Sequence, residues 1–205
     1  MEKRGEAEKQ SGVRSRRRNA AATRARIIEA AAVVFARDGY SAATLRDIGA
    51  LAGVDHALTV RYTGAKAGLF SAALAEEVAR WPGLPDGARG AALASRICAG
   101  KDDRLWRLVL AGANAPVSNT DLRSDLLAKM GLAPASPADE QAIFAQNMLF
   151  ITCLGAAAVT RSHVVAASVS VEAPEAKLGL WLQWLLDLAR GTKNSPPKKV
   201  SKAGT

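Results

Sequence analysis

The 205-residue chain is expected to be all-α, about nine helices divided between a small N-terminal headpiece and a larger C-terminal bundle. Three observations predict this. Apolar residues recur at helical spacing along most of the chain, while strand-like alternation is missing and only VVAASVSV (164–171) is ambiguous. Helix-start and helix-stop residues bracket the periodic segments. The densest punctuation, WPGLPDG (81–87), carries two prolines and two glycines in seven residues and marks the boundary between the two parts.

The first helix is expected over about 23–38, where Ile27, Ile28, Ala31, Val34 and Phe35 form one apolar stripe and Gly39 closes the helix. Thr44 opens the second, its hydroxyl placed to accept from the backbone N–H of Asp47, whose own charge suits the positive end of the helix dipole. Leu45, Ile48 and Leu51 are its apolar residues, and Gly53 ends it. Asp55 caps a third helix reaching about Tyr62, and a fourth runs from near Lys66 towards Arg80 with Leu69, Phe70, Ala73 and Leu74. Beyond the boundary, helices are expected near 87–99, 102–113 and 119–130. A long one follows near 137–162, opened by Ser136-Pro137. The last, about 173–190, opens at Pro174 and closes at Arg190-Gly191.

The formal charge of +9 is unevenly placed. Residues 1–26 hold nine Lys/Arg and three Glu, net +6, and residues 191–205 hold four Lys and no acid, leaving the intervening body at −1. Basic arms on a neutral body suit a polyanion, since Lys/Arg contacts to phosphate release counterions. The arginines of RSRRRN (14–19), which abut a strong helix, are the better candidates; PPKKVSKAGT reads as a solvated tail. Cys98 and Cys153 form no CxxC pair, no metal-ligand cluster is visible, and the first residues lack the apolar segment of a secretory signal. The longest apolar run, Met148 to Val159, is shorter than the roughly 20 residues of a membrane span. A cytoplasmic protein without membrane contact is expected.

A short helix, a tight glycine turn and a second short helix make a helix-turn-helix. One continuous helix could not do its work, because a helix in the major groove needs another crossing behind it to hold its angle. Gly53 supplies the positive φ, and Gly49 and Ala50 are small enough for close approach. The segment 23–70 resembles the headpiece of the TetR family of bacterial transcriptional regulators. The resemblance rests on Phe35-Ala36-x-x-Gly39-Tyr40, Thr44-x-Arg46-Asp47-Ile48, Ala52-Gly53-Val54, and Tyr62 with Gly64-x-Lys66-x-x-Leu69-Phe70.

That resemblance implies a homodimeric, ligand-responsive repressor of a palindromic operator, released by an apolar small-molecule effector, with double-stranded DNA and a second copy of itself as partners and no cofactor. It implies a basic disordered arm at 1–22, a DNA-binding domain at 23–80, a ligand-binding and dimerisation bundle at 87–190, and a disordered basic tail at 191–205. Thr44 and Arg46 would hold phosphates, and His56, Ala57, Leu58, Val60 and Arg61 would lie on or beside the recognition helix. Arg61 suits guanine, His56 an acceptor edge, and Leu58 or Ala57 a thymine methyl. Tyr62 and Lys66 would anchor the backbone, and Arg16, Arg17 and Arg18 would follow phosphates or enter a minor groove. Effector candidates are Cys98, Trp106, Met148, Phe150, Cys153 and His163. Leu178, Trp181, Leu182, Trp184, Leu185 and Leu188 form the expected dimer stripe, paired with the small-residue helix near 137–162.

The sequence departs from the family at Thr59 and Thr63, where a large aliphatic and a phenylalanine usually pack, and at Val60. A loosened headpiece is the expected consequence. The competing reading is a cytoplasmic helical interaction protein whose degenerate headpiece no longer binds DNA. No enzyme is indicated: there are two histidines, none of the common catalytic motifs, and the Asp102-Asp103 pair reads as helix-start capping.

Overall fold

The computed structural model describes residues 2–113, 115–116, 120–133, 135–136, 138–161, 174–192 and 196. Among them the regular elements are nine helices: α1 (Glu2–Ala42), α2 (Leu45–Ala52), α3 (His56–Thr63), α4 (Lys66–Arg80), α5 (Arg89–Cys98), α6 (Asp103–Gly112), α7 (Thr120–Lys129), α8 (Glu140–Arg161) and α9 (Pro174–Ala189). The ambiguous segment 164–171 lies outside the described residues. The chain divides into two compact units, residues 1–77 with 107–118, and residues 78–106 with 119–205.

In the first unit, α1 begins well upstream of residue 23. The stretch expected to be a disordered arm continues the helix back to Glu2. It holds three Glu, two Lys, five Arg and four Ala and has no proline. A helix already held by a buried stripe extends through such residues without a second nucleation cost. That stripe, Ile27, Ile28, Ala31, Val34 and Phe35, is buried as the spacing predicts. Gly39 (φ 78, ψ 169) breaks the helical path, and Tyr40 turns back onto the core. Its ring stacks with Phe35 at 5.9 Å and meets Phe70 edge-on at 5.4 Å. Lys66 Nζ sits 4.7 Å above the Tyr40 ring and donates to the Ser41 carbonyl at 3.2 Å, tying the start of α4 to the end of α1.

In the second unit, α9 packs on α5 and α8. The α5–α9 crossing is set by two glycines. A Cβ on Gly90 would overlap the backbone of Gly179 and Gln183, and one on Gly179 would lie 3.1 Å from the Ala91 Cα. The first turn of α5 has no side-chain cap of its own; the Gly90 N–H instead donates to Gln183 Oε1 at 2.9 Å. WPGLPDG is pinned in this unit by Lys129, whose ammonium donates to the carbonyls of Ala79 and Trp81 while its own carbonyl accepts from the Leu84 N–H at 2.9 Å.

Asp102 corrects the reading of the acidic pair. It is buried, accepts two bonds from the Arg96 guanidinium (2.7 and 2.6 Å), and takes a third from Trp81 Nε1 at 3.1 Å. This bonding holds the Arg96 pKa above its ordinary value. The carboxylate ties α5 to the residues around Trp81 from its place just before α6, and Asp103 alone is the acid in the first turn of α6.

Helix α8 starts at Glu140, three residues later than expected, because Asp139 caps it through the Ala142 N–H at 2.9 Å. Glu140–Val159 is long and apolar enough to cross a membrane by length and composition. The longest uninterrupted apolar run conceals this, because Gln141, Gln146 and Asn147 break the run while being polar and uncharged. In the structure Ala145, Leu149, Cys153 and Ala157 bury one side of α8, as in a bundle helix.

Candidate nucleic-acid interface

Local hydrogen bonds build the helix-turn-helix. The Thr44 hydroxyl accepts from the Asp47 N–H at 3.1 Å and donates to Asp47 Oδ2 at 2.5 Å, a reciprocal cap that starts α2. At its other end Gly53 stands at φ 65, ψ 38, and the N–H groups of Gly53 and Val54 return to the carbonyls of Ala50 and Gly49. Asp55 then caps α3, its Oδ1 accepting from the Ala57 N–H at 2.7 Å.

Packing fixes the angle between the two helices. Thr59 is fully buried, the inward side of α3, and its hydroxyl donates to the Asp55 carbonyl at 3.3 Å. A Cβ on Gly49 would lie 2.9 Å from Thr59 Oγ1 and 3.1 Å from the Val54 carbonyl oxygen. The expected looseness at Thr59 is therefore absent: the small residue is matched by a glycine opposite. The Thr63 side chain lies outside the described ones.

With Thr59 inside, α3 presents His56, Ala57, Leu58, Val60 and Arg61 to solvent, and Tyr62 is half-buried. Leu58 is 38% exposed. Arg46 and Arg61 are exposed, and neither guanidinium is bonded or ion-paired to another described residue. Thr44, expected to hold phosphate, donates its hydroxyl hydrogen to Asp47. Lys66 is half-buried and already serves Ser41 and Tyr40. Arg18, Arg24 and Arg26 are exposed along α1; Arg16 and Arg17 lie on the same helix, their side chains outside the described ones.

Residues 27–73, the segment containing this arrangement, match the family model described as bacterial regulatory proteins, tetR family. The N-terminal domain is a TetR headpiece. Residues 27–73 thus form a TetR-type helix-turn-helix headpiece, which supports DNA-binding transcriptional regulation. No curated protein and no solved structure matches it significantly.

The remaining candidates are spread through the second unit. Trp106 is buried edge-on to Trp81 at 6.4 Å, and its Nε1 has no hydrogen-bond partner among the described residues. Phe150 and Cys153 share the buried side of α8; Arg123 lies 4.8 Å over the Phe150 ring, and burial pushes the Cys153 thiol up. Met148 and Cys98 are half-buried, and burial also raises the Cys98 thiol. His163 lies outside the described residues.

The dimer stripe on α9 needs correcting. Leu182 and Leu185 are buried within one chain, so they have no area left to give a partner, and Leu186 joins them. Leu178, Trp184 and Leu188 are half-buried, whereas Trp181 is 47% exposed and stands edge-on to Trp184 at 5.6 Å. Helix α8 bares Phe144 (59%) and Ile151 (60%), residues that spacing alone did not single out. Because α8 and α9 are apolar nearly all round, periodicity could not say which stripe would face outward.

Proposed function

We propose that the chain is a homodimeric repressor that binds a palindromic operator and releases it when a small apolar effector enters the second unit. The observation that carries the DNA reading is the outward face of α3 beside two uncommitted guanidinium groups, Arg46 and Arg61. The intact caps at Thr44 and Asp55 and the filled contact at Thr59 support it over a degenerate headpiece acting through protein contacts.

Self-association is supported by two seams with coiled-coil spacing, each of exposed and half-buried residues. Phe144, Met148, Ile151, Gly155 and Ala158 stand at i, i+4, i+7, i+11 and i+14 on α8, and Lys177, Trp181, Trp184 and Leu188 at i, i+4, i+7 and i+11 on α9. A two-fold dimer places two headpieces to read two half-sites. The Trp106 N–H, without a hydrogen-bond partner among the described residues, supports an effector carrying a hydrogen-bond acceptor. Effector binding lowers operator affinity only if the effector prefers the released state. Cytoplasmic location follows from this function.

Gel shifts with duplex DNA from upstream of the chain's own coding region test the reading. Retardation by the native chain, abolished in Arg61→Ala, is expected. Equal binding by both would remove α3 from recognition. Light scattering should give a dimer that Trp181→Glu converts to a folded monomer; a native monomer would end the dimer proposal.

A further inference from the structure

The outward face of α3 has an unusual order of chemistry. Taking buried Thr59 as the inward direction and about 100° per residue for 3.6 residues per turn, Ala57 and Arg61 point about 160° away from it on either side, forming the tip. Val60 and Leu58 lie about 100° to the left and right of Thr59, one on each flank. Both flanks are open to solvent, Leu58 at 38% and Val60 at 41%. The tip thus combines a small residue that lets the helix sit deep with an uncommitted guanidinium one turn further on.

The geometry points to a half-site in which a guanine read by Arg61 is flanked by A·T pairs on both sides, with thymine 5-methyl groups packed against Leu58 and Val60 on opposite walls of the groove. This rests on the DNA-binding reading above. In the major groove the thymine methyl is the apolar group that distinguishes a T·A edge, while guanine offers the acceptor pair that an arginine spans. Aliphatic side chains form no hydrogen bonds to phosphates or base edges there, but each buried methyl has a measurable value. Polar flanks would read donors and acceptors instead. Arg46, at the start of α2, supplies charge for the phosphates alongside.

The test uses the full chain and duplexes selected from a random-sequence library. Each thymine in the enriched half-site is replaced singly by uracil, which removes the methyl and keeps the base pair. Removal of a contacted methyl should weaken binding about fourfold. Leu58→Ala should become indifferent to uracil at one such thymine, and Val60→Ala at another on the opposite strand. Both side chains are exposed, so unchanged thermal unfolding of the variants serves as the folding control. Enrichment of a half-site whose affinity is unaltered, within about twofold, by every uracil would overturn the methyl contacts while leaving DNA recognition in place. Absence of any enriched sequence would instead overturn sequence-specific binding itself.

Discussion

Alanine in place of Gly49 probes the contact that sets the angle of α3. The added Cβ would stand 2.9 Å from Thr59 Oγ1 and 3.1 Å from the Val54 carbonyl oxygen, and the latter is backbone of the turn itself. Overpacking of this kind costs about 1–3 kcal/mol, offset by about 0.5–1 kcal/mol because alanine is the better helix residue. The net expectation is a loss of about 1 kcal/mol, or about 2–4 °C in Tm for a chain of this size. Thr59→Ala, which empties the space opposite, should also cost about 1 kcal/mol through the missing methyl and the cavity it leaves. In the double variant the methyl added by Gly49→Ala occupies what Thr59→Ala vacates; the Thr59 contact is relieved and the Val54 contact stays, so the loss should be about that of one single variant rather than the sum of both. Urea unfolding followed by circular dichroism measures the coupling, expected at about 1 kcal/mol. Gly53→Ala is the control: its Cβ meets nothing within 4 Å. Its loss of about 1–2 kcal/mol comes from the left-handed backbone alone, and Thr59→Ala should not relieve it. Additivity of Gly49→Ala with Thr59→Ala within about 0.3 kcal/mol would refute the packing argument.

Four further outcomes follow from the same kind of reasoning. Gly90→Ala places a methyl on the α9 backbone and disturbs the bond to Gln183, so a loss of about 2–4 kcal/mol is expected in thermal unfolding. Gly155→Ala, with open space around its Cβ, should by contrast stabilise the unassociated chain by about 0.5–1 kcal/mol. Asp102→Asn leaves the Arg96 charge without its counter-ion and should cost about 3 kcal/mol, the low end for a buried pair because the Arg96 side chain is 27% exposed; an unchanged denaturation midpoint would deny the cluster its role. A chain beginning at Asn19 should bind DNA with a log affinity–log salt slope shallower by about 0.9 for each phosphate it no longer neutralises, and an unaltered slope would remove the arginines of 14–18 from the interface.

The sequence alone determined the features that are closed within a few residues. The Thr44 and Asp55 caps, the break at Gly39 and the turn at Gly53 depend on a side chain and an N–H two or three positions away, or on one glycine's freedom at positive φ. These same features place α3, so the candidate DNA-reading residues were legible with it. The family headpiece could be recognised for that reason, whereas the bundle offered only period and length.

Tertiary structure decided everything that requires a choice between equivalent faces or distant partners. An α9 that is apolar all round satisfies several stripes equally, and only packing against α5 and α8 selected Leu182 and Leu185 for the interior and left Trp181 outside. Asp102 looked like a capping residue because its partners, Trp81 and Arg96, come from other segments of the chain. Gly90 and Gly179 gave no local signal, since the space beside each is filled by backbone from a distant part of the sequence. The physical division is one of range: short-range hydrogen bonds and backbone sterics are written in neighbouring residues, while burial belongs to the assembled core and cannot be read from one helix.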